Sequence, residues 1–258
     1  MDRPVLEVKQ LNSWYKDHDG IFVQAKQKKQ VLKDVSFTVS EGEIVGLVGE
    51  SGSGKSTLAK CVMGIVRDKS GAVIHHSEHP QMVFQDPYSS LNPSKKIGWI
   101  LEESLRLHGK YPAKERIRLV IGMLERVGLS GEIADRYPRQ LSGGQRQRVC
   151  IGAALMQEPK LLVADEAVSA LDVTIQAQVI DLLLNLHREM GLAILFISHD
   201  LRVVYRISDR VLIMKDGRIV ESGSAQQVYF EPEQDYTRSL LKAAGIVEWE
   251  VQKDQKIL

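Results

Sequence analysis

The 258-residue chain predicts an α/β fold: a mainly parallel sheet with both faces covered, interrupted by an inserted helical region. Three observations point there. Apolar runs of strand length, EIVGLVG (43–49), LLVAD (161–165) and AILFIS (193–198), alternate with helical patterns such as TIQAQVIDLLLNLHREM (174–190). A glycine-rich loop, GESGSGKS (49–56), follows the first run and opens a helical stretch. Between Asp86 and Arg148 the alternation gives way to turn chemistry, YSSLNPSKK (88–96), and to helices such as AKERIRLVIGMLERVGL (113–129).

Taken in order, VLEVKQL (5–11) and VLKDVSFTV (31–39) alternate apolar and polar residues as half-buried strands do. The basic, unpatterned insert between them (16–30) reads as a solvated loop. LAKCVMGIV (58–66) continues the glycine-rich loop as a helix, and VLIMKDGRIVESG (211–223) reads as a hairpin turned at Asp216-Gly217. From Ser224 the tail is helical and polar. The division expected is one domain over 1–258, with a core at about 1–85 and 149–223, a helical subdomain at about 86–148 and a C-terminal helical tail at about 224–258.

Composition narrows the classes. With 43% hydrophobic and 26% charged residues the chain is globular, and a formal net charge of +1 gives no bulk attraction to nucleic acid or anionic lipid, so anion binding must be local. No apolar run approaches the roughly 18 residues of a membrane span, and MDRPVLEVKQ has no apolar signal region, so a cytoplasmic protein is expected, held at a membrane only through a partner. Cys61 and Cys150 stand alone within apolar helical patterns and read as packing residues.

GESGSGKS fits Gly-four residues-Gly-Lys-Ser/Thr in the required strand–loop–helix context. Successive backbone N–H groups there can wrap phosphate oxygens, the helix N-terminus adds partial positive charge, Lys55 supplies a cation and Ser56 a magnesium ligand. LLVADE ends an apolar strand in two carboxylates: Asp165, placed to hold Mg²⁺, and Glu166, placed to act as general base on water. Ser198-His199 closes AILFI, where an imidazole can donate to a transferring phosphoryl group. LSGGQ (141–145) precedes another helix. Ser142, Gly143 and Gly144 would put a hydroxyl and bare N–H groups at its N-terminus, a second anion site. These are two such surfaces for one nucleotide, far apart in sequence; if they cannot reach the same phosphate within one chain, two chains must face each other, each completing the other's site.

Together these segments resemble the ATP-binding cassette family, a branch of the P-loop NTPases, over nearly the whole chain and in family order. GESGSGKS resembles Walker A, FQDP carries the Q-loop Gln85, LSGGQRQR is the signature, LLVADE is Walker B, SALD (169–172) is the D-loop and His199 is the switch histidine. The resemblance implies a RecA-like mixed sheet core, a small antiparallel β subdomain and the inserted helical subdomain. It implies ATP and Mg²⁺ as cofactors and a head-to-tail pair of ATPases, identical or paralogous. Nucleotide contacts would come from Tyr15 stacked on adenine (Trp14 as fallback), Gly49, Glu50, Ser51, Gly52, Ser53, Gly54, Lys55, Ser56 and Thr57. From the opposing subunit would come Ser142, Gly143, Gly144 and Gln145, with Asp172 of the D-loop. Catalysis would fall to Glu166, His199, Lys55 and Gln85, and Mg²⁺ to Ser56, Gln85 and Asp165.

VGESGSGKSTLAK, VFQDPYSSLNPSKKIGWIL, SALDVTIQAQVIDLL and FEPEQDYTRSLLKA more narrowly resemble the ATPases of oligopeptide, dipeptide and nickel importers. That implies an ATP-hydrolysing subunit at the cytoplasmic face of the membrane, working with two transmembrane permease subunits and, indirectly, an extracytoplasmic solute-binding protein. Peptide is the leading substrate, with nickel or another metal chelate, opine and glutathione as alternatives, and no nucleic acid partner is implied. Ala167-Val168 replaces the expected Pro-Thr or Pro-Val after Glu166, which would loosen that turn. The segment between Gly71 and Gln81 is short, trimming the small sheet, and no iron–sulfur cluster is expected. His75, His76 and His79 read as an exposed hairpin rather than a metal site. The competing class is a soluble assembly that uses the same cassette outside transport, as related chains do in the carbon–phosphorus lyase complex.

Overall fold

The computed structural model describes residues 3–16 and 28–246. Most of the insert expected as a loop (17–27) and the end of the tail (247–258) lie outside the described residues.

The chain starts with β1 (Pro4–Lys16), β2 (Lys28–Ser40) and β3 (Ile44–Val48), followed by α1 (Lys55–Val62), β4 (Lys69–His75) and β5 (Gln81–Val83). A helical run comes next: α2 (Pro87–Ser90), α3 (Ile97–His108), α4 (Ala113–Arg126) and, after two short 3₁₀ turns, α5 (Gly143–Leu155). Alternation then resumes with β6 (Leu161–Asp165), α6 (Val173–Met190), β7 (Ala193–Ile197), α7 (Leu201–Ile207), β8 (Arg210–Lys215) and β9 (Arg218–Ser224), and α8 (Ala225–Phe230) and α9 (Asp235–Ala243) close the described chain. The sequence predicts β1, β2, β3, β6, β7, the β8–β9 hairpin, α1, α4, α5, α6 and a helical tail, with shifted ends, whereas β4, β5, α3 and α7 are not marked individually in it and α2 forms within the stretch read as turn chemistry. Helix α1 stops at Val62 rather than Val66, because the N–H groups of Gly64 and Ile65 turn back to the carbonyls of Cys61 and Lys60.

The chain forms two compact units. The first comprises the chain start to Leu6, Val39–Gly42 and His75–Leu195. In it β5 runs parallel to β6, pairing Gln81 with Leu162 and Val83 with Ala164, so the residues after both strands emerge at the same edge. Every residue of β6 is buried, as a strand covered on both faces requires. Helix α5 packs Gly152 against Leu101 of α3 and Met123 of α4, and the buried Arg146 donates from Nε to the Pro138 carbonyl while its guanidinium stacks 3.7 Å over the Tyr88 ring. Fully burying apolar side chains such as Leu101, Leu124, Ile151 and Leu155 stabilises this unit by roughly 1.5–3 kcal/mol each.

The second unit comprises Glu7–Thr38, Glu43–Ile74 and the chain from Phe196. Most of a small antiparallel sheet lies here, in the order β2-β1-β4. Strand β3, buried throughout, pairs in parallel with β8, Val48 opposite Ile213. Strand β8 then turns through Asp216 (φ 49°) and Gly217 (φ 82°) into antiparallel β9, the two left-handed residues that a two-residue hairpin needs. A side chain on Gly217 would also place its Cβ 2.0 Å from the Val31 carbonyl oxygen.

Candidate functional site

In the second unit, the glycine-rich loop expected to bind phosphate is built where β3 ends. Gly49 comes directly after the strand and runs so close to β8 that a Cβ would come within 2.1 Å of the Met214 carbonyl oxygen, which makes this position glycine for steric reasons. The loop turns through Gly52 (φ 81°) and Gly54 (φ 110°), and Gly54 is the N-cap of α1. The first turn of α1 holds Lys55, Ser56 and Thr57 and no acidic residue, so its amide field is not cancelled locally. The buried Lys55 donates from Nζ to the loop's own Gly49 and Glu50 carbonyls at 2.7 and 3.0 Å, which places a cation inside the loop. The hairpin tip grips the same loop: Gly217 N–H donates to the Ser53 carbonyl at 2.9 Å. Glu50, Ser51 and Gly52 are exposed.

The same unit carries His199 and Tyr15. His199 is exposed just past the carboxyl end of β7, between Ser198, whose Oγ accepts from Asp200 N–H, and Asp200, whose carboxylate caps α7. Tyr15, near the end of β1, is 42% exposed, a ring surface available for stacking. Trp14 is less exposed, and its N–H donates to the Asp68 carbonyl.

In the first unit, parallel β5 and β6 bring Gln85 and Glu166 together. Asp165, the last residue of β6, is buried. Glu166 is next, in the left-handed region (φ 49°), a costly backbone for a side chain, and one that tends to accompany a functional position. Gln85 Nε2 donates to Glu166 Oε2 at 3.0 Å and to Ser169 Oγ at 3.4 Å. Ala167 and Val168 are buried, and Ser169 closes the turn by donating from both N–H and Oγ to the Glu166 carbonyl. The turn is therefore pinned without the proline, where the sequence led us to expect a looser one. Asp86 beside Gln85 receives the Tyr88 N–H, which holds its carboxyl below the usual carboxylate range.

The signature stretch starts α5 as expected. Ser142 is the N-cap of a reciprocal box: its Oγ accepts from Gln145 N–H at 3.3 Å, and Gln145 Oε1 accepts from Ser142 N–H at 3.0 Å. Ser142 and Gly143 are exposed, but Gly144 is not: a Cβ there would stand 2.5 Å from Ile175 Cγ2 of α6. Only one of the two glycines thus presents bare backbone outward, while the other serves helix packing. Asp172 caps α6, its Oδ1 accepting from Ile175 N–H at 3.0 Å.

Each unit by itself offers hard oxygen atoms of the kind Mg²⁺ takes: in the first, the Asp165 carboxylate and the amide oxygen of Gln85, whose nitrogen is committed to Glu166, and in the second, the Ser56 hydroxyl. Among the described residues no group of three or more His, Cys, Asp or Glu side chains could hold a metal ion by itself. His75 ends β4, and His79 sits at φ 54° in the connection to β5.

Residues 32–169 match the family described as ABC transporter. The chain belongs to that family. Among curated relatives of this cassette is the glutathione import ATP-binding protein GsiA of Escherichia coli O157:H7, 44% identical over 270 residues that cover 99% of the chain and 43% of the relative. The same protein of Shigella dysenteriae serotype 1 matches equally. The chain thus spans less than half the length of these relatives. Among solved structures, cbiO1 of Clostridium perfringens, part of the ABC transporter complex cbiONQ, superposes with a TM-score of 0.76 at 28% identity, covering 96% of this chain and all of that one. The ATP-binding cassette MJ0796, a dimer in a post-hydrolysis state with ADP and Pi, gives 0.71 at 27% identity, covering 85% and 98%. The fold is that of an ABC ATPase. No described helix is long and apolar enough to cross a membrane.

One residue beside the phosphate loop escaped the motif reading. Tyr236, on α9, lies with its hydroxyl 3.4 Å from Glu50 N. It lies within FEPEQDYTRSLLKA, but that stretch says nothing of Glu50, because the pairing spans 186 positions.

Proposed function

We propose that this cassette is the ATP-hydrolysing subunit of an importer of peptides or similarly small solutes, seated peripherally on the cytoplasmic face of a membrane. It would act with a second cassette, identical or paralogous, two transmembrane permease subunits and, indirectly, an extracytoplasmic solute-binding protein. One observation carries the reading: 44% identity over 99% of the chain to a glutathione import ATP-binding protein. Glutathione is itself a small peptide, which keeps peptide-type cargo ahead of metal chelates or opines.

In the mechanism we infer, the amides of Gly49–Thr57 and the Lys55 ammonium hold the nucleotide phosphates, and Tyr15 stacks on the base. Ser56, Asp165 and Gln85 would hold magnesium, which would neutralise phosphate charge when bound. Glu166, oriented by Gln85, takes a proton from water as its oxygen attacks the γ-phosphorus. The bond from that phosphorus to the bridging oxygen breaks, releasing ADP and phosphate. His199 and the partner cassette's Ser142–Gln145 segment donate hydrogen bonds to the transferring group, with the Asp172 turn beside them. Closure of the pair and its reopening drive the permease subunits. Residues 86–148, the helical subdomain, are the surface we assign to permease docking.

The test is affinity purification of the tagged chain from detergent-solubilised native membranes, followed by mass spectrometry. Two multi-span subunits, with or without a second cassette, support the importer. Soluble enzymes alone would overturn it in favour of a non-transport assembly.

A further inference from the structure

The phosphate loop is held from outside by the C-terminal helix. Glu50, its second residue, has its carbonyl engaged by Lys55 Nζ at 3.0 Å and by Ser53 N–H at 3.2 Å, while its own N–H donates to the Tyr236 hydroxyl at 3.4 Å. Tyr236 is itself fixed. The Glu221 carboxylate, on β9, accepts from the N–H groups of Glu233 and Gln234 at 2.8 and 3.2 Å and from the Thr237 hydroxyl, which anchors the start of α9. Lys215 Nζ lies 4.5 Å from the Tyr236 ring centroid, and Leu241 is buried further along α9. Burial pushes the Tyr236 phenol up from its usual range, so it is a neutral hydroxyl at physiological pH. With Gly217 N–H on the Ser53 carbonyl, the β8–β9 hairpin and α9 clamp both ends of the loop's central turn.

We propose that Tyr236 is a positioning residue for nucleotide binding: its hydroxyl fixes the Glu50 peptide and keeps the loop's amides in the phosphate-binding arrangement. A loop that samples other arrangements binds more weakly in proportion to the fraction that is competent. This inference rests on the reading of Gly49–Ser56 as the phosphate site, and the experiment separates the two.

The experiment measures MgADP affinity by calorimetry and amide exchange by NMR on the full chain, in wild type, Tyr236→Phe, Tyr236→Leu and Lys55→Ala. Tyr236→Phe keeps the ring, its packing and the Lys215 contact, and removes only the hydroxyl. The expected result is Glu50 amide exchange faster by at least about threefold and MgADP affinity lower by about three- to fivefold, the size of one modest hydrogen bond, with exchange at Ile213 and Leu241 unchanged. Tyr236→Leu should move both readouts in the same direction. Wild-type affinity in Tyr236→Phe overturns the inference, even if Glu50 exchange rises, because the contact would then be merely structural. Lys55→Ala tests the underlying site: wild-type affinity in that variant would overturn the phosphate-site reading and this inference together, whereas lost binding there beside an unaffected Tyr236→Phe overturns Tyr236 alone.

Discussion

Gln85 and Glu166, 81 positions apart, meet in a hydrogen bond of 3.0 Å from the Gln85 amide nitrogen to the Glu166 carboxylate. The parallel pairing of β5 with β6 creates the meeting, and Ser169 supports it from the turn. The bond aims a carboxylate whose backbone is already constrained at φ 49°. Gln85→Ala should therefore lower ATP turnover by about tenfold or more, the worth of one hydrogen bond to a charged group, and also weaken MgADP binding, because the same side chain is a proposed Mg²⁺ ligand. Steady-state phosphate release, measured alongside MgADP affinity, checks both halves.

The two signature glycines should respond differently to alanine. At Gly143 the nearest atom to a new Cβ is Leu171 Cδ2 at 3.8 Å, ordinary contact, whereas at Gly144 it is Ile175 Cγ2 at 2.5 Å. Gly144→Ala should cost about 1–3 kcal/mol of stability by overpacking the α5–α6 contact, and Gly143→Ala less than about 1 kcal/mol. Denaturant unfolding of the two variants measures the difference.

Ser142→Arg should abolish hydrolysis by the assembled pair while sparing nucleotide binding to the single chain. The substitution removes a cap, at about 1 kcal/mol, so the fold should survive. Turnover equal to wild type, with circular dichroism confirming a folded variant, would count against a signature that acts across an interface.

Cys150 tests the packing reading of the cysteines. It is 8% exposed, its Sγ faces the Pro87 carbonyl at 3.9 Å, and burial pushes its thiol up to about 12. At pH 8 almost no thiolate exists in the native chain, so a thiol reagent should label Cys150 only on unfolding, at least about a hundredfold more slowly than a free cysteine. Time-resolved labelling with and without denaturant provides the comparison.

Much of this was legible in the residues. The shortness of the apolar runs at β3, β6 and β7, set against the longer helical period of α4 and α6, separates strand from helix, and the Asp216-Gly217 pair marks its own hairpin. The loop at 49–56 announces both its turn and its chemistry, because glycines and Lys55 are needed together there. Local pattern does not carry the reason for each residue. Gly144 reads like Gly143, and only the position of Ile175 on α6 shows that one is bare for packing. The Ala167-Val168 turn looks loose in sequence and is held by Ser169. Tyr236 lies in a polar helical tail whose period says nothing of Glu50, because their pairing depends on where β9 and Glu221 place α9.

The most direct test of the hydrolytic mechanism is phosphate release by the membrane complex captured through the tagged chain, comparing wild type with Glu166→Gln. Glu166→Gln is expected to bind ATP, retain it in a closed pair and release phosphate at least about a hundredfold more slowly, since it keeps the shape of the site and removes the base. Phosphate release at the wild-type rate would contradict the assignment of Glu166 and the mechanism built on it.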